Sequence, residues 1–345
     1  MHLKILVTGG AGYIGSHTCK ALAAAGHTPV VLDNLSTGHR WAVKWGPLVV
    51  ADIADRSQVK SAIKEFGIGA VMHFAAHAYV GESVRQPQKY FDNNVTKTLA
   101  LIDTLLEAGI SKVVLSSSCA TYGVPQKLPI SEGDPQLPIN PYGETKLFVE
   151  KILYWYEVAY GIRHVNLRYF NAAGADPDGE IGEDHDPETH LIPLVIAAAQ
   201  GVNSAFEIFG SDYDTADGTA VRDYVHVCDL ACAHVKALNY LVAGGHSASV
   251  NLGTGRGHSI REVISAVEAV SNRVVPVIQG QRRSGDPAVL IADPRLGQSV
   301  LGWRPLQSDL DTIVQTAWNW HQTQLISPAL GTSSSKSAKL KSEPV

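Results

Sequence analysis

The sequence predicts an α/β fold, a doubly wound parallel sheet followed by a smaller C-terminal α/β lobe. Through the first half of the chain, short continuous apolar runs alternate with segments of helical periodicity. Continuous apolar strands are typical of parallel sheets whose two faces are both covered by helices. The first run, residues 5–7, leads into Gly9-Gly10-Ala11-Gly12-Tyr13-Ile14-Gly15 and then into a helical pattern that stops at Gly26. The chain therefore begins as a strand, a glycine-rich turn and a helix.

The glycine-rich turn is typical of a site that binds a dinucleotide. Glycines let the backbone approach a pyrophosphate closely, and the helix N-terminus supplies amide donors and a positive dipole. The spacing of Gly9, Gly12 and Gly15 is one residue longer than the G-x-G-x-x-G fingerprint. The pattern alone is therefore weak, but the preceding strand strengthens it. Together they predict a Rossmann-type nucleotide site.

A carboxylate follows the second apolar run, residues 30–33. At the end of that strand, Asp33 can bind the adenosine ribose hydroxyls and repel a 2′-phosphate, which favours NAD over NADP. The alternative is that Asp33 only ends the strand at a turn.

The next elements continue the alternation. Strands are predicted at residues 48–52, 70–76 and 113–115, and helices at 55–66 and 87–107. The third strand delivers Asp52-Ile53, the fourth ends in small residues, and the fifth delivers Ser116-Ser117-Ser118. Ligands bind doubly wound sheets at the carboxyl ends of the strands. We therefore expect the glycine turn, Asp33, Ala75 and Ser118 to lie along one edge of the sheet.

A tyrosine and a lysine four residues apart follow the serines. On a helix, Tyr142 and Lys146 lie on one face, about one turn apart. A free tyrosine has a pKa of about 10, and a nearby ammonium group favours the phenolate and lowers that pKa. Such a pair can take a proton from a hydroxyl or return it. The spacing alone also fits two unrelated helix residues, and only the nucleotide motif beside it favours chemistry.

The helix predicted at residues 142–160 is apolar on nearly every side. Such a helix must be buried on more than its sheet face. Either the second lobe covers it, or it forms a homodimer together with the helix at 87–107. We favour the homodimer.

The second half of the chain is predicted to leave the first sheet and return to it. After a strand at 164–168, an acidic surface loop at 176–188 enters a second lobe, and a helix at 229–242 and a strand at 250–252 return to the first sheet. We predict a nucleotide-binding domain at 1–170 with a returning segment at about 224–255, a second lobe at 171–325, and a disordered tail at 326–345. Arg222 and Arg283 are either diphosphate clamps or surface arginines in turns.

Composition limits the remaining classes of function. The chain has 345 residues, of which 45% are hydrophobic, and a net charge of −5, which argues against a nucleic-acid or membrane-surface role for the whole protein. No run of 18 apolar residues is present and the first strand starts near Met1, so we expect a cytoplasmic protein without a transmembrane helix or signal peptide.

Cysteine and histidine spacing predicts no metal site. The four cysteines, Cys19, Cys119, Cys228 and Cys232, show no C-x-x-C pattern, and among the fourteen histidines no H-x-x-x-H or H-E-x-x-H pair stands out. Cys228 and Cys232 could share a helix face, but two thiols without histidine ligands make a poor site. We predict buried, reduced cysteines.

Over about residues 1–320, the chain resembles the UDP-glucose (UDP-galactose) 4-epimerases of the extended short-chain dehydrogenase/reductase family. The resemblance is carried in the first half by Val7-Thr8-Gly9-Gly10-Ala11-Gly12-Tyr13-Ile14-Gly15-Ser16-His17, Leu32-Asp33-Asn34-Leu35, His73-Phe74-Ala75-Ala76, Val80-Gly81-Glu82-Ser83, Asp92-Asn93-Asn94-Val95, Ser116-Ser117-Ser118, Tyr122-Gly123 and Pro141-Tyr142-Gly143. In the second half it is carried by Arg168-Tyr169-Phe170-Asn171, His190-Leu191-Ile192-Pro193, Asp217-Gly218-Thr219, Val221-Arg222-Asp223-Tyr224 and Arg283-Ser284-Gly285-Asp286.

The resemblance implies a role for each site residue. Tyr142 would be the base, Lys146 would bind the nicotinamide ribose and tune Tyr142, and Ser118 would hydrogen-bond the sugar 4-hydroxyl. A tightly bound NAD would be lined by Gly9, Gly12, Tyr13, Ile14, Gly15, Asp33, Asn34, Asp52, Ile53, Phe74, Ala75, Ala76, Asn93, Ser116, Tyr142, Lys146 and Tyr169. The UDP-sugar would contact Ser118, Tyr142, Asn171, His190, Leu191, Phe209, Arg222, Tyr224, Arg283, Asp286 and Leu290.

The implied reaction is oxidation at the sugar C4, rotation of the 4-keto sugar about its UDP anchor, and reduction on the opposite face. Two positions depart from the pattern. Where close relatives have a lysine after His73-Phe74-Ala75, this chain has His77-Ala78-Tyr79. Leu290, aligned with a sugar-pocket position, is of intermediate size and does not decide whether an N-acetyl group fits.

A few residues distinguish this chain from some other proteins that share the fold. A dTDP-glucose 4,6-dehydratase has Asp-Glu after its catalytic Ser/Thr, whereas Cys119-Ala120 follow Ser118 here and cannot move protons. Epimerases of UDP-pentoses, UDP-glucuronate or UDP-N-acetylhexosamines would use the same chemistry. A non-catalytic NAD-binding scaffold would have lost Tyr142, Lys146 or Ser118, and all three are present.

Overall fold

Strands and helices alternate from the N-terminus, as the periodicity predicts. The computed structural model describes residues 2–282 and 286–326, so Arg283 and the predicted tail beyond Ile326 lie outside the described residues. The strands are β1 Lys4–Thr8, β2 Thr28–Asp33, β3 Leu48–Val50, β4 Ala70–His73, β5 Lys112–Ser118, β6 Arg163–Tyr169, β7 Asn171–Ala173, β8 Phe206–Phe209, β9 Val221–Arg222, β10 Tyr224–His226, β11 Ala248–Leu252, β12 His258–Ser259, β13 Val277–Gly280 and β14 Val289–Leu290. The α-helices are α1 Tyr13–Ala24, α2 Arg56–Phe66, α3 Val80–Arg85, α4 Pro87–Tyr90, α5 Lys97–Glu107, α6 Pro141–Tyr160, α7 Leu191–Ala199, α8 Val227–Val242, α9 Ile260–Ser271, α10 Arg295–Leu301 and α11 Leu310–Ile326.

The predicted doubly wound parallel sheet is confirmed. Within the described residues it has seven strands in the order β3-β2-β1-β4-β5-β6-β11, and every neighbouring pair is parallel. After β3 the chain crosses to the other side of β1 to form β4. The carboxyl ends of β1 and β4 therefore flank the point where the winding reverses, which is where such sheets bind ligands.

Alternating side chains of the strands bury both faces of this sheet. In β1, Ile5 and Val7 pack in one cluster with residues of α1 and α8, whereas Leu6 packs in another with residues of α2, α5 and α6. All three are fully buried. This two-sided burial explains why the strands are continuously apolar.

Caps fix the ends of the helix that carries Tyr142 and Lys146. The Asn140 side chain accepts a hydrogen bond from the Gly143 amide at the N-terminus of α6, and Pro141 occupies the first turn. At the other end Gly161 adopts a left-handed conformation with φ of 73°. Asn, Pro and Gly are the residues preferred at these three positions.

Within the described residues, the C-terminal half builds a second hydrophobic core and three small sheets. Pairs β7–β10 and β8–β13 are parallel, and β9 lies between β12 and β14. Residues of α7, α9 and α11 pack around Ile196, Ile208 and Ile313, which are fully buried. From this second core the chain runs back through α8, which packs against α1, to β11 at the edge beside β6.

Several predicted elements differ from the structure. The helix predicted at 87–107 is α4 and α5 joined by a π-helical segment, Phe91–Thr96. The fourth strand ends at His73 rather than residue 76, because Phe74 begins the loop over the glycine turn. Cys19 and Cys119 are buried and all four cysteines are free, but Cys232 is exposed, so its predicted burial is wrong.

The acidic loop and the apolar helix also differ from expectation. The loop at 176–188 is not wholly at the surface, since Ile181 and Glu183 are buried. On α6, Phe148, Trp155 and Val158 are exposed. The second lobe therefore does not cover this face of α6 within the described residues. No helix among the residues that the structure describes is long and apolar enough to cross a membrane.

Candidate active site

Backbone packing accounts for two of the three motif glycines. Gly9 has φ of +72°, and a Cβ there would lie 2.6 Å from the amide nitrogen of Ala75. A Cβ on Gly15 would lie 2.2 Å from the carbonyl oxygen of Gly9. The turn is thus pressed against the end of β4 and the start of α1, and neither position has room for a side chain.

Gly12 is different because nothing among the residues that the structure describes crowds it. A Cβ there would meet only the Gly9 oxygen, at 3.4 Å, and its φ of −85° suits any residue. Gly12 caps α1, where free amides and the helix dipole favour an anion. Its missing side chain leaves a cradle that a methyl group would fill.

Carboxylates lie at the ends of the next two strands. Asp33 accepts hydrogen bonds from the amides of Ala11, at 3.0 Å, and Leu35, at 2.8 Å. Burial raises the pKa of Asp33, and these amides oppose the rise. Asp52 pairs with Lys97 at 2.8 Å and accepts from Asn34 at 3.3 Å.

The two carboxylates have opposite pKa shifts. Burial alone would raise the pKa of Asp52, but hydrogen bonds from Lys97 and the Ala54 amide lower it overall. Ile53 beside it is buried. Asp33 also holds the glycine turn through Ala11, so its position does more than end a strand.

Asn94 fastens the loop after β4 to α6. Its side chain accepts from the His77 amide at 2.8 Å and donates to the His77 carbonyl at 3.0 Å and to Thr145 Oγ1 at 3.1 Å. Asn93 donates to Asn94 Oδ1 at 3.0 Å. The loop containing Phe74, Ala75 and Ala76 is therefore fixed relative to Lys146, next along the helix from Thr145. Asn94 belongs to a motif of the resemblance, but no role for it was predicted.

Tyr142, Lys146 and Ser118 come together where β5 meets α6. Ser118 ends β5 and is hydrogen-bonded to Tyr142. Lys146 Nζ lies 5.8 Å from the centre of the Tyr142 ring and donates to the Ser116 carbonyl at 2.8 Å. Lys146 and Ser118 are buried and Tyr142 is half-buried. One hydroxyl, one phenol and one ammonium group thus share the predicted edge of the sheet.

Burial dominates the titration of this group. It raises the pKa of Tyr142 to about 12, against the effect of the Ser118 hydrogen bond. It lowers the pKa of Lys146 to about 8, against the attraction of Glu150. In the protein alone, therefore, burial outweighs the lowering of the Tyr142 pKa that was expected from Lys146. The ammonium group donates its hydrogen bond to the Ser116 carbonyl rather than to the phenol.

A buried ion pair beneath these residues was not predicted. Arg168 at the end of β6 donates to both carboxylate oxygens of Glu150, at 3.0 and 2.6 Å, and to the hydroxyl of Tyr122 at 3.0 Å. Ser117 donates to Glu150 at 2.5 Å. This network joins the ends of β5 and β6 to α6. A glutamate one turn after Lys146 in an otherwise apolar helix is the sequence signal from which a partner for Glu150 near the site could have been predicted.

Ser116 and Tyr169 form a second contact across these strands. Their hydroxyl groups are hydrogen-bonded to each other, and burial raises the pKa of Tyr169. Tyr13 connects the glycine turn to the second half of the chain, because its hydroxyl donates to the Gly174 carbonyl at 2.5 Å. Ile14, next to it in α1, packs against the first core.

Residues predicted to bind the sugar nucleotide lie on the small sheets and at the start of α7. The side chains of Arg222 and Asp286 form an ion pair, so Arg222 is not an unpartnered surface arginine. Leu290 lies opposite Arg222 in the β9–β14 pair. The other members are Asn171 in β7, Phe209 at the end of β8, and His190 and Leu191 where α7 begins.

Tyr224 of this group and its neighbour Asp223 are both buried. Tyr224 is buried in the second core, so it supports β10 from within rather than offering a surface. Asp223, which was not predicted, is fully buried and accepts hydrogen bonds from the amides of Thr254, Gly255 and Ala292. It holds the loop after β11 and the segment after β14 beside Arg222.

The comparison with known families agrees with this arrangement. Residues 5–253 match the profile of the NAD dependent epimerase/dehydratase family. The chain belongs to this family. A UDP-glucose 4-epimerase from Rhizobium meliloti is 53% identical over 318 residues, covering 92% of this chain and 97% of that protein.

Solved structures of this epimerase/dehydratase family agree as well. The UDP-glucose 4-epimerase of Brucella ovis in complex with NAD is 55% identical with a TM-score of 0.90, covering 92% of this chain and 97% of that one. The enzyme of Bifidobacterium longum in complex with NAD+ and UDP is 37% identical with a TM-score of 0.88, covering 94% and 99%.

The residues present fit the NAD of this family. The uncrowded cradle at Gly12 would receive the pyrophosphate, and Asp33 lies at the strand end where a carboxylate suits an unphosphorylated ribose. Lys146 and Ser116 lie on the far side of the same edge. Gly12, Asp33 and Ser116 lie at or near the carboxyl ends of β1, β2 and β5, and Lys146 is hydrogen-bonded to Ser116. One extended ligand along this edge can therefore reach all of them.

Proposed function

We propose that this protein interconverts UDP-galactose and UDP-glucose by inverting the configuration at the sugar C4, with NAD held throughout the reaction. The observation that carries the proposal is the joint position of Tyr142, Lys146 and Ser118 beside the glycine turn. The epimerases from Rhizobium meliloti and Brucella ovis support this choice of substrate.

The chain would hold NAD along the carboxyl edge of its main sheet. Gly12 and the N-terminus of α1 receive the pyrophosphate, Asp33 and Asn34 the adenosine ribose, and Lys146 the nicotinamide ribose. When bound, NAD supplies reversible hydride acceptance at the sugar C4 and, in its oxidised form, a positive charge. Asp52, Ile53, Phe74, Ala75, Ala76, Asn93 and Tyr169 complete the walls of this site.

Tyr142 moves the proton of the reaction. Its hydroxyl takes the proton from the sugar O4 during oxidation and returns it during reduction, and Ser118 positions the O4 by hydrogen bonding to it. Because burial raises the pKa of Tyr142 to about 12, the phenol needs neighbouring positive charge to act as a base near neutral pH. Lys146, fixed by Ser116, supplies part of that charge.

Inversion requires a firm grip on the nucleotide and a weak grip on the sugar. Arg222 provides a guanidinium group suited to two phosphate oxygens, and its pairing with Asp286 aligns it. Asn171, Leu191 and Arg283 would hold the rest of the UDP. The 4-keto sugar can then rotate and present its other face to the same Tyr142.

The test is an assay of UDP-galactose conversion to UDP-glucose without added reductant. Tyr142→Phe is expected to lose at least about 100-fold in kcat, the lower end of the effect of removing a general acid–base, while retaining NAD. Tyr156→Phe is the matched control, since Tyr156 lies on the same helix but is hydrogen-bonded to Asp103, away from Ser118. No conversion by the NAD-loaded wild type would reject the proposal, and near-normal turnover by Tyr142→Phe would reject the role of Tyr142.

The same assay decides between related substrates. UDP-N-acetylgalactosamine and a UDP-pentose are not favoured by the relatives, and the side chain of Leu290 fills an intermediate volume beside Arg222. We expect turnover of UDP-N-acetylgalactosamine to be slower than that of UDP-galactose and to rise in Leu290→Ala. A non-catalytic NAD-binding role is not favoured, because the three reactive side chains are intact and adjacent.

The protein is further proposed to be a homodimer that acts in galactose metabolism in the cytoplasm. An apolar surface comprising Phe91, Leu99, Phe148, Trp155 and Val158 is exposed on α5, α6 and the π-helical segment. The rings of Phe91 and Phe148 are 6.1 Å apart, so the surface is continuous across the two helices. An exposed apolar patch of this kind is typical of an interface, and a second copy offers a complementary apolar helix pair.

Light scattering after size exclusion measures this association. Trp155→Glu places a charge in the centre of the proposed interface and is expected to give a monomer. Val202→Glu replaces an equally exposed apolar residue at another surface and should leave a dimer. A dimer that persists in Trp155→Glu would contradict the proposed interface.

A further inference from the structure

Four side chains able to bind a metal come together between β7 and α7. They are Glu183, His185, Glu188 and His190, and one ligand atom from each lies within 4.8 Å of all the others. Glu183, His185 and Glu188 belong to the loop at 176–188 that the sequence predicted to be an acidic surface segment, and His190 follows it. Glu183 is nevertheless 5% exposed. A carboxylate buried to this extent requires positive charge beside it.

The distances among these atoms bracket the ligand separations of a tetrahedral metal site. Glu183 Oε1 lies 2.5 Å from His190 Nδ1 and 3.1 Å from His185 Nδ1. Glu188 Oε1 lies 3.4 Å from His190 Nδ1, and the other oxygen, Oε2, lies 3.7 Å from His185 Nδ1. Metal–ligand bonds of roughly 2.0–2.2 Å separate tetrahedral ligand atoms by about 3.3–3.6 Å. Small side-chain adjustments would therefore bring the four atoms around one ion.

The directions of these groups do not fit hydrogen bonds between them. Glu183 Oε1, His185 Nδ1 and His190 Nδ1 are buried and have no hydrogen-bond partner with acceptable geometry among the described residues. The short N···O distances therefore bring these atoms together without hydrogen bonds between them. Buried polar atoms left without partners in this way are rare and call for an explanation.

Two protonated histidines would balance the carboxylates equally well in charge. The carboxylates do raise the pKa of His185 to about 9 and that of His190 to about 10, although burial opposes both shifts. Two imidazolium groups, however, would direct their Nδ1 protons at the carboxylate oxygens, and neither Nδ1 forms such a hydrogen bond here. A single divalent cation would balance both carboxylates and bind the Nδ1 lone pairs of both neutral imidazoles.

A neighbouring acidic cluster shows the contrast. Asp176, Asp178 and Glu180 also lie close together, but Lys20 Nζ lies 2.8, 2.7 and 2.8 Å from their oxygens. An ammonium group already occupies the centre of that cluster, so it has no place for a metal ion. The cluster of Glu183, His185, Glu188 and His190 has no Lys or Arg among its ion-pair partners in the described part of the chain.

We propose that Glu183, His185, Glu188 and His190 bind one Zn²⁺ ion in a structural site. Two imidazoles and two carboxylates suit Zn²⁺, whereas Ca²⁺ and Mg²⁺ prefer oxygen ligands alone. Four protein ligands fill a tetrahedral coordination sphere, so the ion is not a catalyst. The proposal departs from the sequence-based prediction of no metal, because the spacing E-x-H-x-x-E-x-H of residues 183–190 is not among the usual ones.

The surroundings indicate what this zinc ion holds in place. The rings of Tyr13 and Tyr79 lie edge-on to His185, with centroids 6.2 and 6.0 Å away. The Glu183 carbonyl accepts a hydrogen bond from Trp320 Nε1 at 2.9 Å. The ion would therefore fasten the loop to the glycine turn, to the segment before α3 and to α11. His190, which the resemblance places beside the UDP-sugar, would bind the ion through its side chain instead. It immediately precedes α7, so the start of the helix that carries Leu191 would be fixed as well.

Metal analysis of the untagged full-length protein tests the proposal. After exposure to zinc and dialysis against metal-free buffer, we expect about one zinc per chain by plasma mass spectrometry. His185→Gln and Glu188→Gln should each weaken zinc binding at least 100-fold in competition with a chromogenic chelator. Asp178→Asn, which removes an acid from the neighbouring cluster, should bind zinc as the wild type does. Stripping the metal should lower the melting temperature of the wild type but not of His185→Gln.

Three results would overturn the proposal. One is a wild-type protein that retains no zinc. Another is equal zinc binding by the wild type, His185→Gln and Glu188→Gln, which would mean that the metal binds elsewhere on the surface. If the variants fail to fold, the cobalt-substituted wild type decides, because tetrahedral Co²⁺ absorbs visible light strongly and octahedral Co²⁺ does not. An octahedral spectrum would then contradict the four-ligand site.

Discussion

Replacing Gly12 and Gly15 by alanine, one at a time, separates cofactor binding from folding. The two glycines belong to one motif, yet only Gly15 is crowded by the protein itself. Its new Cβ would lie 2.2 Å from the Gly9 oxygen and 2.9 Å from Gly10 Cα. Ordinary contacts of a Cβ begin near 3.4 Å, so the backbone of the turn must move by about 1 Å. Overpacking of this kind costs about 1–3 kcal/mol.

Gly12→Ala should affect NAD instead. Its Cβ meets one atom at 3.4 Å and the backbone conformation is accessible to alanine. Alanine is a poorer N-cap than glycine, so we expect a loss of unfolding free energy below about 1 kcal/mol. The methyl group would occupy the cradle at the N-terminus of α1, and a loss of about 1.4 kcal/mol or more in binding corresponds to at least a tenfold weaker affinity for NAD.

Urea unfolding of the NAD-free proteins and calorimetric titration with NAD measure the two effects independently. Gly15→Ala should unfold at lower urea concentration than Gly12→Ala, and Gly12→Ala should bind NAD more weakly than the wild type. The reasoning is refuted if Gly12→Ala binds NAD with wild-type affinity. It is also refuted if both variants lose the same unfolding free energy.

Two further predictions concern buried charges. Arg168→Met leaves Glu150 buried without its partner, so urea unfolding should show a loss of about 3–5 kcal/mol in unfolding free energy. The control, Arg56→Met, breaks an exposed pair with Asp103 and should cost less than about 1 kcal/mol. Similar losses in the two variants would contradict the importance of burial. Burial lowers the pKa of His234 to about 4, whereas in the unfolded chain it is about 6.5. Between these two pH values the unfolded chain binds a proton that the folded protein does not. The folded protein therefore loses stability as the pH falls from 6.5 towards 4. At pH 5 this loss of unfolding free energy amounts to about 2 kcal/mol. His234→Phe keeps a ring packed beside Phe74, so in urea titrations it should lose correspondingly less stability than the wild type between pH 7 and pH 5. An unchanged pH dependence would refute this role of His234.

The fold could be predicted because its signals are local. Continuous apolar runs such as residues 5–7 are buried on both sides of the sheet, and the helix predicted at 142–160 is α6, whose ends are fixed by Asn140, Pro141 and Gly161. The strand ends carrying Asp33 and Ser118 could likewise be placed on one edge, because parallel strands have a common direction. Their roles toward the cofactor and substrate stay predictions.

Contacts between distant segments could not be predicted in this way. The pairing of Glu150 with Arg168 depends on where α6 lies relative to β6, and nothing in either segment identifies the partner. The Tyr142 pKa was predicted from the spacing to Lys146, but the outcome depends on burial and on the carbonyl that orients the ammonium group. The cluster around Glu183 requires a loop whose course follows from contacts to Trp320 and Tyr13.

The edge position of β11 has a consequence for how the protein is made. Residues 1–170 emerge from the ribosome long before Ala248–Leu252. Until then β6 is an edge strand without its neighbour β11, and α8 does not yet cover α1. Only after residue 252 has emerged can the main sheet close, and by then much of the second core has also been synthesised. The two halves therefore mature together, and a fragment ending near residue 170 should aggregate or require a chaperone rather than bind nucleotide by itself.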